Sequence, residues 1–415
     1  MDIPGLPARR AALSLLDAVL RRGETLDQAA HGALRRVRGE ADKALARAIA
    51  SEVLRWKCDL DGLIDSATKK PLPQDAKPRQ VLALMLAQWL RLDTPPHAVI
   101  ATGLPLLAGG PRRLAHGVFS TLVKREEKLP AFPTVPDQVR QRWGERTDAI
   151  AKGLADPPPL DLSLRDTGET AQWAEPLGGT TLMPGHVRPP RGMAVIDLPG
   201  FDEGAWWVQD LAASLPARLL GPGEGRRVLD LCAAPGGKTL QLAAAGWQVT
   251  ALDVSKRRLE RLRENLARTG LAALVVTANA LEWEPDVPFD AILLDAPCTA
   301  TGTCRRHPDV LYRIGGAQID EMAALQAALL ERAAQWLTPG GRLLYAVCSL
   351  EREEGEAQVP AVPLAPDPIR TDELPAGLSP SPEGWLRTDP CMLAEAGGLD
   401  GFFIARFVNK PVGSA

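Results

Sequence analysis

A chain of 415 residues with 45% apolar and 24% charged side chains can bury more than one core, and two or three domains are expected. No apolar run approaches the ~18 residues of a membrane span, and Arg9 and Arg10 break the start where a secretory signal needs an apolar stretch, so a cytoplasmic chain with no membrane partner is expected. The net charge of −3 hides an imbalance: residues 1–130 hold 21 Lys/Arg against 14 Asp/Glu, the remainder is acidic, and such a division suits an anionic partner held at one end.

Residues 1–128 read as a bundle of helices. Leu13, Leu16 and Leu20 share one face of a helix over Arg9–Arg22, which Gly23 stops. Thr25 and Gln28 have the spacing of a capping box for the next helix. Leu45, Ile49 and Val53 line a helix over Ala41–Lys57. The stretch Arg79–Leu92 is apolar on most sides and suits the centre of the bundle, and Leu114–Lys124 closes it. Residues 129–160 form a connector rich in proline around one helical stretch near Gln138–Leu154. Residues 161–203 alternate weakly between apolar and polar and predict a small α+β piece, with Leu162, Leu164, Val195, Ile196 and Leu198 as its apolar positions.

From residue 204 to residue 411 strands and helices alternate. A helix over Ala205–Leu220 leads in. Strands are expected at Arg227–Leu231, Gln248–Asp253, Leu274–Ala278, Phe289–Asp295, Arg342–Cys348 and Gly401–Phe407, with helices at Thr239–Ala245, Ser255–Thr269 and Ala317–Leu337. This is the pattern of an α/β fold: a doubly wound, mostly parallel, Rossmann-like sheet with helices on both faces.

The run from Asp230 to Thr239 (DLCAAPGGKT) joins the first strand to its helix. Residues with little side chain let the backbone approach a ligand there, and Asp253 ends the second strand where an acid can accept from ribose hydroxyls. A phosphate-binding loop fails, because its first glycine would fall at Cys232. A dinucleotide loop fails for lack of GxGxxG. S-adenosylmethionine carries one adenosine and no pyrophosphate, and suits the shorter loop.

Asp295-Ala-Pro-Cys298 and Cys348-Ser349 each end an apolar strand. Two thiols and a carboxylate at the ligand edge of one sheet point to covalent catalysis on a pyrimidine: a thiolate adds to C6, C5 becomes nucleophilic, and loss of the C5 proton expels the thiol. The spacing alone leaves open which thiol attacks. Cys298, Cys304 and His307 fit no standard metal spacing and lack a fourth ligand, so no metal is expected. Arg305, Arg306 and His307 read as a loop for phosphates or bases.

DLCAAPGGKT, DAPCTATGTCRRHPD and AVCSLEREE resemble the cofactor loop and two cysteine motifs of RNA cytosine-5 methyltransferases of the RsmB (Sun) type, and EGWLRTDP and DGFFIARF agree. The N-terminal helices, with DKALARAIASEVLRW and HAVIATGLPLLA, are similar to the NusB-like RNA-binding domain of that type. The resemblance implies methylation at C5 of a single-stranded or loop cytosine in 16S ribosomal RNA by a monomer. It implies a cofactor site made by Cys232, Ala233, Ala234, Pro235, Gly236, Gly237 and Lys238 with Asp253, Asn279 and Asp295. It gives Cys348 the role of nucleophile and Cys298 that of assisting release. Asp295 would touch cofactor and base, and Lys238 would help hold the cytosine. Three positions depart from the family: Asn279 for aspartate, Val347 for threonine and Gly355 for asparagine. The competing function is an RNA-binding ribosome-assembly factor whose methyltransferase domain no longer turns over.

Overall fold

Apolar residues at helical spacing fold the early chain into α1 (Leu6–Arg22), α2 (Leu26–Ala33), α3 (Glu40–Arg55), α4 (Lys57–Ser66), α5 (Lys77–Arg91), α6 (Pro96–Gly103), α7 (Gly109–Lys124), α8 (Asp137–Trp143) and α9 (Thr147–Gly153) in a computed structural model that describes residues 3–410. Gly23 ends α1 in the left-handed conformation, and Thr25 and Gln28 close a reciprocal capping box on α2. In α5 every residue from Arg79 to Gln88 is buried, the arginine included, because Arg79 donates to Leu72 O and pairs with Asp61 at 3.0 Å and with Asp65.

The chain divides into two compact units, and the helical one takes residues up to Asp156 together with Cys304–Ile314. It therefore extends past the expected limit at 128, and α8 and α9 of the expected connector belong to it. The late segment is held from within that unit. Buried Arg55 donates to Leu154 O at 3.0 Å and to Arg305 O at 2.8 Å, and Tyr312 packs on the helical core. Arg305 is itself buried, so it does not offer a free phosphate-reading side chain as the charge run suggested.

The second unit comprises Pro157–Thr303 and the chain from Gly315 onward. It begins with an antiparallel sheet of β1 (Leu162–Leu164), β2 (His186–Val187) and β3 (Trp206–Val208), in the order β2-β1-β3. Val195–Asp197, which includes the apolar positions Val195 and Ile196 of this piece, forms a single 3-10 turn. One expectation fails here. The helix expected over Ala205–Leu220 splits into β3 and α11 (Leu211–Arg218), with α10 (Thr170–Ala174) earlier in the unit. Bulky Trp206 and Trp207 favour extended backbone. Asp210 then caps α11 by accepting from Ala212 N, which starts the helix later than expected.

The large sheet contains β4 (Arg227–Leu231), β5 (Gln248–Asp253), β6 (Leu274–Thr277), β7 (Phe289–Asp295), β8 (Leu337–Val347), β9 (Ala365–Pro366), β10 (Leu386–Thr388) and β11 (Phe402–Val408). Its order is β10-β11-β8-β7-β4-β5-β6, with β9 on β11. Strands β4 to β8 run parallel, while β9, β10 and β11 are antiparallel to their neighbours. Helices α12 (Gly237–Ala244), α13 (Lys256–Thr269) and α14 (Gly316–Gln335) make the crossovers. The chain winds one way through β4, β5 and β6 and the other way through β7 and β8, so the order switches between β4 and β7. A ligand crevice belongs at the carboxyl ends of those strands.

Candidate active site

Parallel register gathers the site. Leu231 lies opposite Leu252 and Leu294, and Asp295 lies opposite Ala346. The residues that follow β4, β5, β7 and β8 therefore leave the sheet at one edge, and they are Cys232, Val254, Ala296 and Cys348.

The loop after β4 is braced from below. Asp230 is fully buried and accepts from Thr239 Oγ1 at 2.5 Å, which ties β4 to α12. Burial pushes its carboxyl up to about 7 despite that bond, and Oδ1 has no hydrogen-bond partner among the described residues. Gly236 has φ of 113°, and a Cβ there would stand 2.9 Å from Leu262, so only glycine lets the loop turn this close to α13. Asp253 accepts from Ala234 N at 3.1 Å and from Ser255 N at 2.8 Å. It thus shapes the loop as well as standing at the end of β5, and each oxygen keeps a lone pair for a ligand. Burial pushes the Cys232 thiol up, which makes it packing rather than a nucleophile.

Lys238 points from α12 to Asp295, with Nζ 2.7 Å from Oδ2 and 5.5 Å above the Phe402 ring. Burial alone would depress its pKa, but the charge and hydrogen bond of Asp295 hold it above the usual lysine value, so the ammonium persists. The thiols of Cys298 and Cys348 lie 3.5 Å apart, and both residues are partly accessible. The loop carrying Cys298 is pinned to the one carrying Cys348. Gly302 N donates to Cys348 O at 3.0 Å, Gly401 N donates to Gly302 O at 2.9 Å, and a Cβ on Gly302 would sit 2.0 Å from Gly401 O.

Asn279 is placed differently from a simple ligand. It is exposed just beyond β6, accepts from Leu281 N at 3.1 Å and donates to Glu282 Oε1 at 3.0 Å in a local turn. Val347 is fully buried. At Gly355 a Cβ would meet Arg387 Nη2 at 2.3 Å and Phe403 at 3.0 Å, so neighbours occupy the room a larger residue needs. Sequence reasoning missed the roles of Thr299, Gly302, Ser349 and Glu354, which tie together the loops that carry the cysteines. Their only signal was a polar residue directly after each cysteine.

A mostly parallel sheet with a glycine-rich loop at its switch point, near two thiols and an acid–lysine pair, defines a methyltransferase unit of the Rossmann-like class. Known proteins narrow this. The model of the 16S rRNA methyltransferase RsmB/F family matches residues 217–408, and that of the NusB family matches residues 6–106. The chain is 36% identical to ribosomal RNA small subunit methyltransferase B of Xanthomonas campestris pv. campestris, over 86% of this chain and 87% of the relative. Among solved structures, the protein PH0851 aligns with a TM-score of 0.69 at 24% identity, covering 98% of this chain and 99% of that one. NSun6 from Pyrococcus horikoshii, solved with SFG, aligns with a TM-score of 0.57 at 20% identity over 66% of this chain and 98% of its own. These two likenesses concern the fold. The chain belongs to the ribosomal RNA small subunit methyltransferase B family, with a NusB-like helical region ahead of the methyltransferase fold.

S-adenosylmethionine is the cofactor. The residues fit it. Gly236 lets the loop turn tightly against α13, and Asp253 and Asp295 are carboxylates, suited to ribose hydroxyls and to a cationic donor rather than to phosphates. Among the described residues no group of three or more His, Cys, Asp or Glu comes together that could hold a metal ion, and no helix is long and apolar enough to cross a membrane.

Proposed function

We propose that the chain methylates C5 of a cytosine in 16S ribosomal RNA, with Cys348 as the nucleophile. The observation that carries this is the pair of partly buried thiols 3.5 Å apart just past the ends of adjacent parallel strands, beside a charged Lys238–Asp295 pair. The relatives' names supply the RNA. The helical unit, with its surplus of positive charge, holds the RNA backbone.

The Cys348 thiolate forms a bond to C6, and the C5–C6 π pair moves toward N3. Asp295 accepts from the 4-amino group, and the Lys238 ammonium offsets the charge that reaches N3. S-adenosylmethionine, when bound, supplies the electrophilic methyl that C5 takes. Loss of the C5 proton to a base returns its electron pair to the ring, restores the C5–C6 double bond and expels Cys348 as thiolate, with Cys298 assisting release. The base must leave its stack for the thiol to reach C6, so a loop or a flipped cytosine is the substrate.

The test uses the full chain with methyl-labelled cofactor and unmodified 16S RNA, followed by nucleoside analysis and a denaturing gel. The wild type yields 5-methylcytosine. Cys348→Ala gives neither product nor covalent complex, whereas Cys298→Ala accumulates a protein–RNA species that survives denaturation. A trapped complex from Cys348→Ala alone reverses the assignment. RNA binding without any methyl transfer leaves the assembly-factor reading.

A further inference from the structure

Behind the two cysteines lies a carboxylate that the reaction as described does not use. Glu354 is fully buried. Its Oε2 accepts from Thr299 N at 2.8 Å and from Gln326 Nε2 at 3.0 Å. Its Oε1 accepts from Ser349 Oγ at 2.9 Å and from Thr299 Oγ1. Thr299 directly follows Cys298, and Ser349 directly follows Cys348. The Tyr345 hydroxyl, on β8, donates to the Glu354 carbonyl at 2.6 Å and fixes the residue from the other side. Four donors converge on two oxygens, and three of the four come from the residues next to the thiols.

Burying a carboxylate is costly, and simple packing would be served as well by an apolar residue. What an apolar residue cannot do is bind both cysteine loops at once. Building on the cytosine-5 reading above, we propose that Glu354 is a positioning residue for the reaction: its one carboxylate holds the Cys298 and Cys348 loops in register and makes the two thiols inequivalent. The inequivalence has a direction. Cys298 faces the Cys348 thiol, the Glu354 carboxylate and the Ala300 N–H. Its thiol is pushed well above the usual value, first by the hydrogen bond with Cys348, then by burial, then by the charges of Cys348 and Glu354. Cys348 faces Cys298 on one side and interacts with the Lys238 ammonium, itself paired with Asp295, on the other. Further out, Arg387 donates to Ser349 O and pairs with Glu356 at 2.6 Å. The anion stands behind Cys298, where its charge and burial favour the protonated thiol, and the Lys238 ammonium stands on the side of Cys348.

Glu354→Gln and Glu354→Ala separate charge from geometry. The glutamine amide oxygen can still accept from Thr299 N and Gln326, and its NH2 can donate to the two hydroxyls once they rotate, so the loops stay tied while the charge is gone. The readouts are methyl transfer to unmodified 16S RNA, S-adenosylmethionine affinity by calorimetry, and the pH profile of Cys298 alkylation by iodoacetamide, resolved by peptide mass spectrometry in the full chain. In Glu354→Gln the Cys298 alkylation midpoint moves down by about one pH unit and turnover falls roughly tenfold, with cofactor affinity within about twofold of wild type. In Glu354→Ala, which removes the carboxylate tie and leaves the loops joined only through contacts such as Gly302 N to Cys348 O, turnover falls by about 100-fold or more. Wild-type turnover and an unmoved alkylation profile in both variants overturn the proposal. So does an equal loss of stability in both variants with the profile unmoved, which makes Glu354 ordinary core structure. A wild type whose product does not depend on Cys348 instead defeats the cytosine-5 reading, and the two failures are told apart by that control.

Discussion

The two units bury opposite charges for the same reason. In the helical unit the buried ions are mainly arginines. Arg55 takes Leu154 O and Arg305 O, and Arg79 takes Leu72 O, while partly exposed Arg91 takes Ala155 O. In the catalytic unit they are mainly carboxylates. Asp253 takes Ala234 N and Ser255 N, Glu354 takes Thr299 N, and Asp161 takes Leu211 N. Helix ends and the junctions after them leave carbonyl groups unpaired, and a guanidinium reaches several at once. Loops that run from a strand into a helix leave N–H groups unpaired, and a carboxylate collects those. The catalytic machinery is acidic at its foundations because its loops need acceptors, before any substrate is considered.

The strongest way to break this comparison lies in the helical unit. Arg55→Met removes a fully engaged cation, leaves Glu52 with Arg91 as its partner, and strands Leu154 O and Arg305 O in a dry environment. A loss on the order of 3–5 kcal/mol is expected, read as a lowered denaturation midpoint. The effect should extend beyond α3, because Arg305 belongs to a segment that rejoins the catalytic unit at Gly315. Weaker methyl transfer at temperatures where the variant is still folded would show that this anchor steadies the loop after Cys298. Unchanged stability would mean that the arginine network is decorative.

Asp230 is the catalytic-unit carboxylate that departs from the rule, since one oxygen has a hydroxyl partner and the other has none among the described residues. Its carboxyl is raised from an ordinary 3.8 to about 7 by burial. The folded state therefore holds this proton more tightly than the unfolded state. The penalty is absent below about pH 4, grows as pH rises, and is complete above about pH 7, where it reaches at most about 4 kcal/mol. Asp230→Asn should flatten the fall in stability between about pH 4 and pH 7, measured by urea denaturation across that range. An equal slope in wild type and variant would sink the assignment.

Most of the fold was legible because it rests on local rules. The capping box at Thr25, the stop at Gly23 and the alternation after residue 226 are all written in short-range spacing. The stretch from Ala205 to Leu220 misled because its apolar content suits either element, and Trp206 pairing with Leu164 in a distant strand decided the matter. The ends of β4, β5, β7 and β8 were readable as one edge, since parallel strands must finish together. Glu354 was not. Its meaning comes from four donors in three separate segments, and no spacing in one sequence reports that convergence.

The surface of the helical unit offers a milder test. Arg10, Arg35 and Arg36 are exposed beside His31 on α1, α2 and the turn that follows, in contrast to the buried arginines that hold the fold. Replacing the three with glutamine should leave stability within about 0.5 kcal/mol. RNA affinity should fall by about tenfold, and the log–log salt slope should shrink by roughly 0.7 for each phosphate that the variant no longer neutralises. An unchanged slope would move the RNA backbone to another face of the unit.

The smallest effect is expected at Asn279, where the catalytic unit uses an amide in a position that a carboxylate would also suit. The side chain already spends both ends locally, accepting from Leu281 N and donating to Glu282 Oε1. Asn279→Asp keeps the first bond, because either group accepts there. It loses the second and sets two carboxylates side by side at an exposed turn, where water screens most of the repulsion. Any contribution to the cofactor must come through the lone pair left on Oδ1 or through the shape of the turn. Calorimetric affinity for S-adenosylmethionine should therefore change by no more than about 1–2 kcal/mol in either direction. Tighter binding would indicate that an acid makes the better contact and that this chain carries a weakened version of it. A loss well beyond that range would mean that Asn279 swings out of its turn to meet the cofactor directly, and that the local hydrogen bonds belong only to the ligand-free loop.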